Sequence, residues 1–141
     1  MTTIAFNYKD KQVAVDSRVT RGDMIDRDNA IKSIKNDKGI WFFAGAEDDF
    51  ADLMALSRNQ KVDVKPDCSA ILISEGLAFV VGTDAEGYCF HSELLANYAI
   101  GSGKPFAIAS MDHGKSAKDA VKYAMTRDIY SGGRVRVFDV K

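Results

Sequence analysis

Cysteine is scarce in this chain, and neither sign of charge is in excess. Cys68 and Cys89 are its two cysteines, too few for a disulfide scaffold and not at metal-ligand spacing. The 19 basic and 20 acidic side chains leave a formal charge of −1. That balance excludes a disordered acidic tail and argues against a nucleic-acid binder that lives on phosphate contacts. Apolar runs such as Ile40-Trp41-Phe42-Phe43-Ala44 fall far short of the ~20 residues that span a bilayer. The opening Met-Thr-Thr-Ile-Ala-Phe has no basic segment and no cleavage pattern of a signal peptide. What remains is 141 residues that are 46% hydrophobic, enough to bury about two thirds of the unfolded surface around one core. The expectation is a single cytoplasmic domain over residues 1–141, with no membrane contact.

Periodicity supplies the architecture. Ile4, Phe6 and Tyr8 alternate with Thr3, Ala5 and Asn7, the pattern of a half-buried strand. Lys9-Asp10-Lys11 makes a polar turn and Gln12 to Asp16 runs extended again, so an N-terminal hairpin is predicted. Gly22-Asp23 punctuates the next stretch, Ala30 to Lys35 reads as extended, and Asn36-Asp37-Lys38-Gly39 is a turn. Ile40 to Phe43 is a short buried strand ending at Ala44-Gly45-Ala46. Glu47, Asp48 and Asp49 then open a helix that runs to about Asn59, because carboxylates suit the positive end of a helix dipole. A loop over residues 60–67 and three extended runs (68–74, 77–81 and 88–91) follow. Lys104 to Met111 and Ser116 to Arg127 read as helices, the second opened by Ser116 and Asp119 in the manner of a capping box. Arg134 to Val140 alternates as a last strand. Antiparallel sheets with helices packed outside them follow, an α+β layered architecture.

Several chemistries drop out. Gly101-Ser102-Gly103-Lys104-Pro105 lacks the upstream glycine of a phosphate loop and has proline where the magnesium-binding hydroxyl belongs. His91 and His113 have no partner at metal-ligand spacing, so no metal site is expected. Cys68 and Cys89 lie in apolar strand patterns that suit buried inert thiols, although sequence does not exclude a Cys–His pair. The distinctive feature is the N-terminus. Removal of Met1, which precedes a small residue, leaves Thr2 with a nucleophilic hydroxyl and an α-amine on one residue. The ordinary pKa of such an amine is about 7.7–8.0, so it can accept the hydroxyl proton near neutral pH without a histidine.

Five collinear motifs extend this reading. They are Thr2-Thr3-Ile4-Ala5-Phe6 with Val13-Ala14-Val15-Asp16-Ser17-Arg18-Val19-Thr20, then Lys32 in an extended segment, then Phe43-Ala44-Gly45-Ala46. Ile100-Gly101-Ser102-Gly103 and Arg127-Asp128-Ile129-Tyr130-Ser131-Gly132-Gly133 complete the series. Together they resemble proteasome β-subunits and the bacterial HslV-type peptidase over essentially the whole chain. The resemblance implies an N-terminal nucleophile (Ntn) hydrolase fold, a four-layer αββα sandwich of two antiparallel sheets. One helix stands here where the family has two, so that helical layer is shortened, and the turn between Phe6 and Val13 is trimmed.

The resemblance also assigns roles. Thr2 is the nucleophile, Lys32 favours the deprotonated amine and hydroxyl, and Asp16 holds Lys32. Gly45 offers an oxyanion N–H, and Ser102, Asp128 and Ser131 position the amine and a water. Thr20, Arg21, Gly45 and Ala46 lie where substrate is bound. Arg21 suits either an acidic residue before the cut or a solvent-facing position. The implied activity is a threonine-type endopeptidase acting on polypeptides through a Thr2 ester, with no cofactor. Implied partners are further copies in a ring-forming homo-oligomer and a separate AAA+ ATPase unfoldase. Two other readings stand beside it: a silent relative that binds or inhibits such a peptidase or its unfoldase, and an amide hydrolase for a small substrate.

Overall fold

The computed structural model describes residues 2–141. Four strands build the first sheet, in the order β10-β1-β2-β11 (Tyr98–Gly101, Thr3–Asn7, Gln12–Val15, Arg136–Asp139). The β1–β2 hairpin sets its register, with Ile4 opposite Val15 and Phe6 opposite Val13. The second sheet runs β5-β6-β7-β8-β9 (Ser33–Asn36, Gly39–Gly45, Cys68–Ser74, Leu77–Thr83, Cys89–Glu93), every pair antiparallel. A separate two-stranded ribbon, β3 (Val19–Arg21) and β4 (Met24–Arg27), stands apart from both.

The sheets pack face to face. Ile4, Phe6, Val13, Val15 and Ile100 from the first meet Phe42, Ile71, Ile73 and Val80 from the second in one buried cluster. The outer face of the first sheet is different in kind. Ala5, Ala14 and Ala99 lie against Ala107 and Met111 of α2 (Lys104–Asp112) and Ala117, Ala120, Val121 and Ala124 of α3 (Ala117–Met125). Alanine on both sides lets helix and sheet approach closely at native packing density. Ser116 caps α3 by accepting the Asp119 N–H at 3.1 Å, an interaction worth about 1 kcal/mol.

The second sheet carries less on its outer face. A 3-10 turn (Glu47–Asp49) leads into α1 (Phe50–Ala55), and Leu53 and Leu56 cover Trp41, Phe43, Ala70 and Val81. Phe43 stacks on Trp41 at 5.6 Å and on Phe50 at 4.5 Å between ring centroids. The layers are therefore helices, sheet, sheet and a thin helical layer: the αββα sandwich.

Local differences from the sequence reading have physical causes. The alternation in β1 predicts a half-buried strand, yet all five of its residues are buried, because α2 and α3 cover its second face. The helix expected to reach Asn59 stops at Ala55, since Leu56 turns extended (ψ 137°) to bury its side chain. The segment expected to be extended from Ala30 becomes a strand only at Ser33. Among the described residues no helix is long and apolar enough to cross a membrane.

Candidate active site

Thr2 lies just before β1 and is 3% exposed. Its hydroxyl donates to Asp16 Oδ1 and accepts from Lys32 Nζ at 2.8 Å. Lys32 Nζ also reaches Asp16 Oδ1 at 2.8 Å, which closes a triangle of hydroxyl, ammonium and carboxylate. The hairpin explains the placement of Asp16: it follows β2 directly and its N–H meets the Thr3 carbonyl at 3.2 Å. Asp16 is fully buried, so its charge needs compensation. Besides Lys32, it accepts the Thr3 N–H at 3.1 Å and the Gly132 N–H at 3.0 Å. Burial pushes the Lys32 ammonium below the ordinary lysine value of 10.5, against the pull of Asp16, Asp128 and Asp28.

A second cluster adjoins the first. Asp128 Oδ2 accepts from Ser102 Oγ and from Ser131 Oγ, each at 2.6 Å. With its proton committed to Asp128, Ser131 accepts from Thr3 Oγ1 at 2.6 Å. Ser102 Oγ also lies 3.3 Å from the Thr2 carbonyl. Glycine is required beside it: Gly101 has φ +97° and packs so tightly on that carbonyl that any Cβ would collide with it. The chain thus brings Thr2, Asp16, Lys32, Ser102, Asp128 and Ser131 into one connected polar network. Met1, whose removal would free the Thr2 amine, lies outside the described residues.

The network opens onto a cavity of about 610 Å³, lined by Thr2, Thr20, Lys32 and Gly45 together with Val19, Ala30, Ile31, Phe43 and Phe50. Gly45 ends β6 at φ +121°, where a side chain would run into the Asp67 carbonyl. Two further residues expected at the substrate, Arg21 and Ala46, are not among those lining this cavity. The Arg21 side chain is 79% exposed and pairs with Asp26 at 3.3 Å, and it does not line the cavity. Ala46 spends its N–H on the Asp67 carbonyl at 2.8 Å.

The structure adds residues that spacing does not single out. Thr3 and the Gly132 N–H join the network, and Phe43, Phe50 and Ile31 build the apolar wall. Thr3 sits in a strand pattern where a polar residue reads as solvent-facing, so only its neighbour Ser131 betrays it. Burial raises the Cys68 thiol to about 11 and the Cys89 thiol above its ordinary value, as suits inert thiols. Among the described residues, no group of three or more His, Cys, Asp or Glu could hold a metal ion.

No family model and no curated protein matches the chain. Solved structures do. HslV from Trypanosoma brucei has a TM-score of 0.72 at 24% identity, over 97% of this chain and 98% of that one. BPH from Thiobacillus denitrificans in complex with epoxomicin has a TM-score of 0.73 at 18% identity, over 99% of this chain and 100% of that one. A second structure of BPH from the same organism has a TM-score of 0.72 at 18% identity, over 99% of each chain. The sandwich is thus an N-terminal nucleophile hydrolase fold. Within that fold the likeness is to the HslV and proteasome β type.

Proposed function

We propose that the chain is a threonine-type endopeptidase that cleaves polypeptides through an ester on Thr2 once Met1 is removed. One observation carries the reading: the Thr2 hydroxyl sits between a buried carboxylate and a buried ammonium, at the floor of an open cavity. The free α-amine accepts the hydroxyl proton, directly or through one water, and Thr2 Oγ1 attacks the peptide carbonyl. The Lys32 ammonium, 2.8 Å from Oγ1, favours the developing alkoxide and the neutral amine by its charge. Asp16 keeps Lys32 in place. Gly45 presents its N–H to the tetrahedral oxyanion without a side chain in the way. The amine returns its proton to the leaving amine of the substrate, and water releases the ester. Asp128, Ser102 and Ser131 orient the amine and that water.

Thr20 and Gly45 form part of the seat for the residue before the cut, and the aromatic wall of Phe43 and Phe50 gives that seat its apolar character. The reading extends to a cytoplasmic, ring-forming homo-oligomer fed by a separate AAA+ unfoldase. Support for association is local: Met24, Ile25 and Ile129 are exposed beside one another around a second cleft. Native mass spectrometry reports both assembly and loss of Met1. The test of the function is hydrolysis of fluorogenic peptides by Met1-free protein. Thr2→Ala is expected to leave no turnover while Thr2→Ser retains it; equal turnover by Thr2→Ala excludes the mechanism.

A further inference from the structure

Two segments that carry the network have no sheet partner where it matters. Residues 28–32, which deliver Lys32, are irregular, and so is the stretch from Asp128 to Gly133 that delivers Ser131 and the Gly132 N–H. One side chain touches both. Arg18 Nε and Nη2 grip the two oxygens of Asp28 at 2.8 and 3.0 Å, while Nη1 donates to the Ile129 carbonyl at 3.0 Å. Its own N–H points at Asp16 Oδ2, at 3.4 Å. Gly132 packs directly on the guanidinium and Gly133 on the Asp28 carbonyl, and a Cβ at either position would collide. A long side chain normally yields to such a neighbour, but this guanidinium is pinned at three points. The pairing also holds the Asp28 carboxyl below its ordinary value.

We propose that Arg18 is a positioning residue of the Thr2 site, clamping the segment of Lys32 against the loop of Ser131 and Gly132. The fork geometry of arginine is what spans a carboxylate on one segment and a carbonyl on the other; lysine cannot do both. Without the clamp, Asp28 and Lys32 swing away from Asp16, and Gly132 no longer fixes the second oxygen of that carboxylate. The charged and titratable groups around Lys32 are Asp16 just after β2, Asp128 after α3, Asp28 on its own segment, the Thr2 amine, and Arg18, Arg27, Glu47 and Tyr130 across the cavity. Loosening admits water to Lys32, and its titration moves up toward that of an ordinary lysine.

This proposal rests on the peptidase reading, and its test separates the two. In Met1-free protein, Arg18→Lys is expected to lower kcat by about 100-fold, the scale of a 1 Å misplacement of a reacting group. KM rises too, because residues 28–32 also carry Ala30 and Ile31 of the cavity wall, so the loss is read as kcat at saturating substrate. The alkaline limb of the kcat profile moves to higher pH. Gly132→Ala, whose methyl displaces the guanidinium, gives the same pattern, and it stands in if Arg18→Lys does not fold. Unchanged kcat and an unchanged alkaline limb in both variants overturn the proposal while leaving the peptidase intact. A wild-type protein without turnover overturns the peptidase reading instead. The clamp is then judged by NMR titration of Lys32 and amide exchange at Gly132 and Ala30 in the full chain. Raised titration and faster exchange in Arg18→Lys support it, and identical behaviour refutes it.

Discussion

The two outer faces of the sandwich are built on opposite plans. Over the first sheet, α2 and α3 (nine residues each) press alanine against alanine. Over the second sheet, the six residues of α1 and a loop cover a cluster of large side chains. The polar network belongs mainly to the first plan: Thr2, Thr3, Asp16, Ser102, Asp128 and Ser131 all flank the first sheet and its helices. The thin layer gives the cavity only Glu47 and Phe50, from its first turns. The thick side therefore holds most of the network, the second sheet brings Lys32 and Gly45 to it, and the start of the thin layer shapes what fits. This is why a helical layer can be shortened while the network stays closed.

The largest expected effect tests the junction of the two sides, because Lys32 directly precedes β5 of the second sheet. Lys32→Ala is expected to lower kcat by at least about 10³-fold, the range of an acid–base group. The fold should survive, because Asp16 keeps the N–H groups of Thr3 and Gly132. Full residual turnover would remove Lys32 from the mechanism. In the unsubstituted protein, the profile of kcat against pH should be a bell. It rises as the Thr2 amine loses its proton. It falls as Lys32 loses its own proton, below the ordinary lysine value because of burial. An activity that does not decline until beyond 10.5 contradicts a buried ammonium acting in the site.

Next comes the thin side. Leu53 is fully buried beneath Trp41 and Phe43, so Leu53→Ala should cost about 2–5 kcal/mol in chemical denaturation. Because no network residue touches it, kcat on a peptide should stay within about twofold below the unfolding transition. A loss of kcat matching Lys32→Ala would merge the two plans. Smallest of all, Ser116→Ala removes the α3 cap and should cost about 1 kcal/mol of stability, again with kcat unaltered.

Much of this arrangement is legible in the residues. The N-terminal hairpin announces itself by period-2 alternation around a polar turn, and α3 by its alanine stripe and Ser116. The spacing of Thr2, Asp16 and Lys32 speaks through resemblance, and the structure brings them together. Other parts have no local signal. Both strands of the β3–β4 ribbon show little burial, so no alternation marks them. Residues 98–101 form a strand because β1 offers its free edge, a cause that lies almost a hundred residues away in the chain. Arg21 suits either a substrate contact or a solvent-facing position by sequence, and its side chain is exposed and paired with Asp26. Arg18 stands within the Val13–Thr20 motif with no role of its own until Asp28 and Ile129 are seen around it.

The central claim is that the residue after Met1 works through its own free amine and hydroxyl together. An epoxyketone bridges a hydroxyl and the amine of the same residue, so it reports both at once. Intact and peptide mass spectrometry of Met1-free protein, after incubation with such a compound, is predicted to show one adduct confined to Thr2. Met1-free protein that remains unmodified at Thr2 contradicts the account.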